Sequence, residues 1–200
     1  MIEMAMRLKR FLADRRGVAA TEFALIAPVL LCCYFLSMEV SQAVEVSKKV
    51  SRIGSMVADL ITQQPEITSD EVKAIMQIGE ALVQPYNRSK PEITVTAIRM
   101  SDASKPQATV AWSRRLVNGK MTSSPPFAPG STVTVPDRLL VAKGFLIRVQ
   151  GHLDYEPVLT WSAANTKPLG ILDTAIPNVS MGETYHLRPR QSDAILCKDC

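Results

Sequence analysis

The chain has 200 residues, of which 46% are hydrophobic and 21% charged, with a formal net charge of +4. This is the size and composition of one ordinary globular domain carrying a membrane anchor. Residues 1–16 hold Arg7, Lys9, Arg10, Arg15 and Arg16 against Glu3 and Asp14, while the other 184 residues balance 18 basic with 17 acidic side chains, so no nucleic-acid partner is implied.

From Val18 to Met38 the only charged side chain is Glu22. As a helix, this stretch spans roughly 31 Å, enough to cross a hydrocarbon core of about 30 Å. A transmembrane helix is therefore predicted at 18–38. The basic cluster before it predicts a cytoplasmic amino-terminal tail, with everything after Met38 outside, in the periplasm if the membrane is a bacterial inner membrane. Glu22 is the anomaly. An acidic side chain at the bilayer centre costs about 2.5–3.5 kcal/mol on insertion scales, so Glu22 either has a partner or lies one turn inside the interface and stays hydrated. Two other readings of this region compete. Ser41-Gln42-Ala43 could serve a signal peptidase, but the apolar run exceeds the roughly 7–15 residues of a secretory signal. A lipoprotein site at Cys32 lacks a small residue before it, because Leu30-Leu31 stands there.

The segment Gly17-Val18-Ala19-Ala20-Thr21-Glu22-Phe23 resembles the processing site of type IV-like prepilins, in which a prepilin peptidase cuts after Gly and Glu is the fifth mature residue. The continuation Glu22-Phe23-Ala24-Leu25-Ile26-Ala27-Pro28-Val29-Leu30 is similar to the TadE-like family of tight-adherence (Tad/Flp) pilus pseudopilins. The resemblance is specific over residues 15–60 and looser beyond. It implies a leader at 1–17, cleavage between Gly17 and Val18, and a minor pseudopilin rather than a filament subunit, since major Flp pilins carry Glu-Tyr where this chain has Glu22-Phe23. Implied partners are the prepilin peptidase, other Tad pilins and pseudopilins, an inner-membrane assembly platform and membrane lipid. The arrangement also makes physical sense. A new ammonium on Val18 and the Glu22 carboxylate, each expensive in lipid, become tolerable as a pair and fix axial register between subunits. Pro28 would kink or relieve the helix.

Beyond the membrane segment the helix is predicted to continue over 39–62 with Val40, Val44, Val50, Ile53, Val57 and Leu60 on one apolar face and a Glu45–Lys49 pair, ending at Gln63-Gln64-Pro65. A second helix follows. Thr68 and Glu71 form a capping box flanked by Ile67 and Val72; Val72, Ile75, Met76, Gly79, Leu82 and Val83 face the core, and Pro85 closes the segment. The pattern then changes to period two. Strands are predicted over Glu92–Met100 and Ala108–Ser113, a turn at Asn118-Gly119, a Pro-rich loop over 123–130, and a strand over Gly144–Tyr155. In the last of these, Phe145, Ile147, Val149, Gly151, Leu153 and Tyr155 share the buried face, and Leu146, Arg148, Gln150, His152 and Asp154 share the other. Residues 158–180 read as irregular with room for a short helical turn, and Thr184–Arg190 as a final strand. Long helix, short helix and about four antiparallel strands make an α+β fold like that of pilins, with the folded domain at 63–200.

Cys197-Lys198-Asp199-Cys200 is a CxxC pair at the end of the sequence. The other cysteines, Cys32 and Cys33, lie in the membrane run, so in an oxidising compartment an intrachain Cys197–Cys200 disulfide or an intermolecular pairing is expected. His152 and His186 stand at no metal-ligand spacing, and Asp154 two residues from His152 reads as a solvated pair rather than a dyad. There is no phosphate loop, nucleophile elbow or metal helix. The chain is therefore expected to have no catalytic residue, metal or cofactor and to be an enzyme's substrate, with an unprocessed signal-anchored envelope or binding protein as the alternative.

Overall fold

The computed structural model describes residues 17–86, 88–157 and 179–200. Residues 1–16 of the predicted leader, with its basic cluster, and residues 158–178 of the predicted irregular segment lie outside the described residues. The chain divides into two compact units, Met1–Gln42 and Ala43–Cys200. Helix α1, Val18–Thr62, contributes to both, and its 43–62 portion belongs to the second unit.

The fold is α+β. In the second unit, α1 is followed by β1 (Glu66–Ile67), α2 (Ser69–Ala81), β2 (Glu92–Met100), β3 (Ala108–Val117), β4 (Lys120–Met121), a 3-10 turn at Asp137–Leu139, β5 (Phe145–Tyr155), β6 (Val179–Leu187) and β7 (Leu196–Cys197). Five strands form one antiparallel sheet in the order β4-β3-β2-β5-β6, and β1 pairs in parallel with β7. The capping box is present in full. Thr68 Oγ1 accepts from Glu71 N at 3.3 Å, and Glu71 Oε2 accepts from Thr68 N at 2.8 Å, satisfying two helix-end donors. The Asn118-Gly119 turn has positive φ at both residues, 51° and 75°, the geometry of the two-residue turn whose twist matches its flanking strands.

One sheet face packs on both helices. Val46, Val50, Ile53, Val57 and Ile61 from α1 and Val72 and Met76 from α2 are buried against Ile93, Val95, Ile147, Val149 and Leu153. Gly79 allows a close approach of α2 to α1, since a Cβ there would lie 2.8 Å from Val57 Cγ2.

Several boundaries differ from the sequence reading. The buried stripe of α1 starts at Val46, whereas Val40 and Val44 are exposed; the seam follows positions 46, 50, 53, 57 and 61, one face of a 3.6-residue period. Strand β3 runs on to Val117, because Arg114 and Arg115 alternate across the sheet, reaching the Asp199 carbonyl and the Glu92 carboxylate respectively. The strand predicted at Thr184–Arg190 is β6, Val179–Leu187, so Val179 and Ser180, expected to be irregular, belong to it, Arg188 to Arg190 fall outside it, and the short β7 follows; the Arg190 N–H instead donates to the Thr62 carbonyl and its guanidinium pairs with Asp59 at 2.7 Å. The largest difference concerns β5. Leu146 and Arg148, on its expected outer face, are buried, because the chain between β4 and β5 folds over them. Ile98, Met100, Ala108, Val135 and Leu146 form a second small core on that face, roofed by Val133, Leu139 and Leu140.

Candidate functional site

The first unit presents the sequence-singled residues on one helix. Gly17 directly precedes α1, which begins at Val18, and among the described residues none but its chain neighbours lies within 4 Å of where a Gly17 side chain would start. Val18, Glu22 and Phe23 are exposed, and so are the apolar side chains that follow, with Phe23 at 70% and Leu25 at 76% of full exposure. An 18-residue window of this helix is apolar enough to cross a membrane and only 6% buried. A core helix of a water-soluble domain would bury such a run; this one is exposed, long and apolar enough to be compatible with a single membrane span. Two hydroxyls of this run are bonded to the helix backbone. Thr21 Oγ1 donates to the Val18 carbonyl at 2.8 Å and Ser37 Oγ to the Cys33 carbonyl at 2.7 Å, which removes most of their cost in lipid. Pro28 sits inside α1 without ending it; its missing N–H leaves the Ala24 carbonyl without the usual intrahelical donor. Glu22 is thus the one charged side chain between Val18 and Met38, one helical turn from Val18 and flanked by exposed apolar side chains.

The second unit holds the remaining candidates apart from one another. Cys197 and Cys200 are joined as a disulfide. The tail they belong to is tied down at many points. Asp199 Oδ1 accepts from the Ser69 N–H at 2.7 Å, at the start of α2. Lys198 Nζ pairs with Glu66 at 2.8 Å, which raises its pKa. Trp112 Nε1 donates to the buried Ile195 carbonyl at 2.9 Å. Cys197, Asp199 and Cys200 form the one cluster of ligand-type atoms among the described residues, but the sulfurs are bonded to each other and the carboxylate already accepts from a backbone donor, so it offers no metal centre.

His152 Nε2 lies 3.3 Å from Asp154 Oδ1, with both side chains substantially exposed. His186 does not join them. It stands opposite Arg148 in the β5–β6 ladder, whereas His152 stands opposite Gly182, four residues and about 13 Å further along the strand. An open polar basin at that end of the sheet is lined by Arg88, Lys90, Glu92, His152, Asp154 and Glu156. Its charges are largely paired, Lys90 with Glu80 at 3.1 Å and Glu92 with Arg115. Sequence reading missed two arrangements. Tyr86 stacks on Tyr155 with ring centroids 5.5 Å apart and accepts from the Glu156 N–H at 2.8 Å. Arg148 lies over the Phe127 ring. Neither carries a local sequence signal, since their partners are 69 and 21 positions away.

No family model matches this chain, and neither does any curated protein or solved structure. Function therefore rests on the chain's own residues.

Proposed function

We propose that this chain is a TadE-like minor pseudopilin of a Tad/Flp pilus system, taking part in pilus assembly and surface adherence. The observation that carries the reading is the coincidence of three features. A Gly17-Val18 junction lies at the very start of the helix, a membrane-length exposed apolar surface follows it, and the single carboxylate of that surface, Glu22, lies one turn in. Cleavage after Gly17 by a prepilin peptidase creates an ammonium on Val18. Glu22 then neutralises an amino terminus, its own or a neighbouring subunit's, which removes two uncompensated charges from lipid and sets subunit register. The helix remains anchored in a bacterial inner membrane with its tail cytoplasmic and its domain periplasmic, or enters a surface pilus. In this role the chain is a substrate and a structural component rather than an enzyme, and the Cys197–Cys200 disulfide suits an oxidising compartment.

The test is the intact mass and amino-terminal sequence of the protein from membranes, with and without the prepilin peptidase, beside a Gly17→Ala variant. A peptidase-dependent Val18 terminus that is lost in the variant supports the reading. A Met1 terminus in both strains overturns it and leaves a signal-anchored envelope protein; a Val44 terminus identifies ordinary secretion.

A further inference from the structure

The sheet face turned away from the helices carries a cation that its surroundings do not neutralise. Ser113, Thr96, Arg148 and His186 stand opposite one another across β3, β2, β5 and β6. Arg148 is only 8% exposed. Its Nη1 donates to the Thr134 carbonyl at 3.4 Å, and its guanidinium lies 5.0 Å from the centroid of the Phe127 ring. Among the described residues, however, Nε and Nη2 are buried with no acceptor, and His186 Nε2 is buried with no partner. Among the described residues no carboxylate forms an ion pair with Arg148. Burial lowers the pKa of Arg148, and burial together with the Arg148 charge lowers that of His186.

A buried donor left unsatisfied costs about 1–3 kcal/mol, more when charged, and such groups in native proteins point to an ion or water that completes them. Here the unsatisfied atoms have a shape. Nε–H and Nη2–H project from the same edge of the guanidinium plane, a two-donor fork whose spacing fits two oxygens of a carboxylate or phosphate. The charge selects the ligand class, since a metal ion would be repelled and a neutral molecule would leave the cation unpaired. The guanidinium carbon lies over the face of the Phe127 ring, an added favourable contact for the cation that uses none of its N–H donors as a hydrogen-bond partner.

We propose that this fork is a binding site for a small oxyanion, held side-on by Nε and Nη2 of Arg148 with His186 as a third donor. Both nitrogens are shielded from solvent, so entry requires the covering side chains to part, and association is slower than diffusion. The site lies wholly within the second unit and is independent of membrane insertion or processing.

The experiment uses the full chain in detergent micelles, labelled with 15N at histidine. The sequence has two histidines, and His152 serves as the internal control. Inorganic phosphate and, separately, acetate are titrated against sodium chloride at matched ionic strength. The expected result is a saturable shift of the His186 ring resonances with at least one oxyanion, absent with chloride and not shared by His152. Arg148→Lys keeps the positive charge but removes the fork, and is expected to weaken the half-saturation concentration by about tenfold or more. A shift that never saturates, one shared equally by His152, or an affinity unchanged in Arg148→Lys overturns the proposal. Should that variant fail to fold, the wild-type titration decides alone, because the absence of a saturable His186-specific shift overturns the proposal by itself.

Discussion

Replacing Gly79 by Ala sets two effects of known size against each other. In the middle of an exposed helix the change would stabilise by about 1 kcal/mol, because glycine is the more disordered residue when unfolded. At Gly79 the added methyl would sit 2.8 Å from Val57 Cγ2, 3.1 Å from Ile53 Cγ2 and 3.3 Å from Ile93 Cδ1. All three neighbours are fully buried and β-branched, so Val57 Cγ2 and Ile53 Cγ2, set by the stiff χ1, cannot swing aside by a simple rotamer change, and the close packing around Ile93 restrains its Cδ1. Forcing a methylene into such a packed core costs typically 1–3 kcal/mol, and separating α2 from α1 to admit it would loosen the whole helical layer. With three contacts tighter than normal we place the cost at the upper end, leaving a net destabilisation of about 1–2 kcal/mol. For a domain of this size that is a fall in Tm of roughly 3–8 °C. Thermal and urea unfolding of the full chain, followed by circular dichroism, measures it. Val57→Ala alone leaves a cavity and costs about 2 kcal/mol, but it also opens the space the new methyl needs, so the double variant should lose at least about 1 kcal/mol less than the sum of the two. A Gly79→Ala variant as stable as wild type, or strict additivity in the double variant, would refute the close-packed crossing.

Glu22→Ala should leave processing after Gly17 intact yet abolish recovery of the protein with sheared pili, read by immunoblot of cell and pilus fractions; normal incorporation would remove Glu22 from assembly. Thr68→Ala removes the α2 cap and should cost about 1 kcal/mol in denaturant unfolding at neutral pH. Hydrogen bonds from the Thr68 backbone and side chain hold the Glu71 carboxyl below its ordinary value of 4.5. The folded state thus releases this proton more readily than the unfolded one, so the stability it contributes is present above pH 4.5 and fades as the pH falls through the folded pKa. The gap between wild type and Thr68→Ala should accordingly narrow in acid, and a gap constant with pH would contradict the box. Reducing the Cys197–Cys200 disulfide, or replacing both residues by Ser, should cost about 2 kcal/mol for so short a loop and free the tail from Ser69 and Glu66, visible as faster proteolysis at Lys198; unchanged cleavage would show that the hydrogen bonds alone hold the strap.

Much of the architecture was readable because it is local. The membrane-length run from Val18 to Met38, the capping box of Thr68 and Glu71, the Asn118-Gly119 turn and the inward face of Phe145 to Tyr155 are each set by residues within a few positions of one another. Period, cap and turn chemistry act at that range, so the sequence by itself determined the α+β class, the helix starts and the spacing of Gly17, Val18 and Glu22. Tertiary structure decided what depends on distant partners. Which stripe of α1 is buried followed from its packing on α2, at Gly79, and on the sheet. The burial of Arg148 depended on a loop that carries no periodic signal, and the parallel pairing of Glu66–Ile67 with Leu196–Cys197 joined segments about 130 residues apart. None of these leaves a trace in any short window, because the free energy that fixes them comes from contacts formed only after the chain has closed on itself.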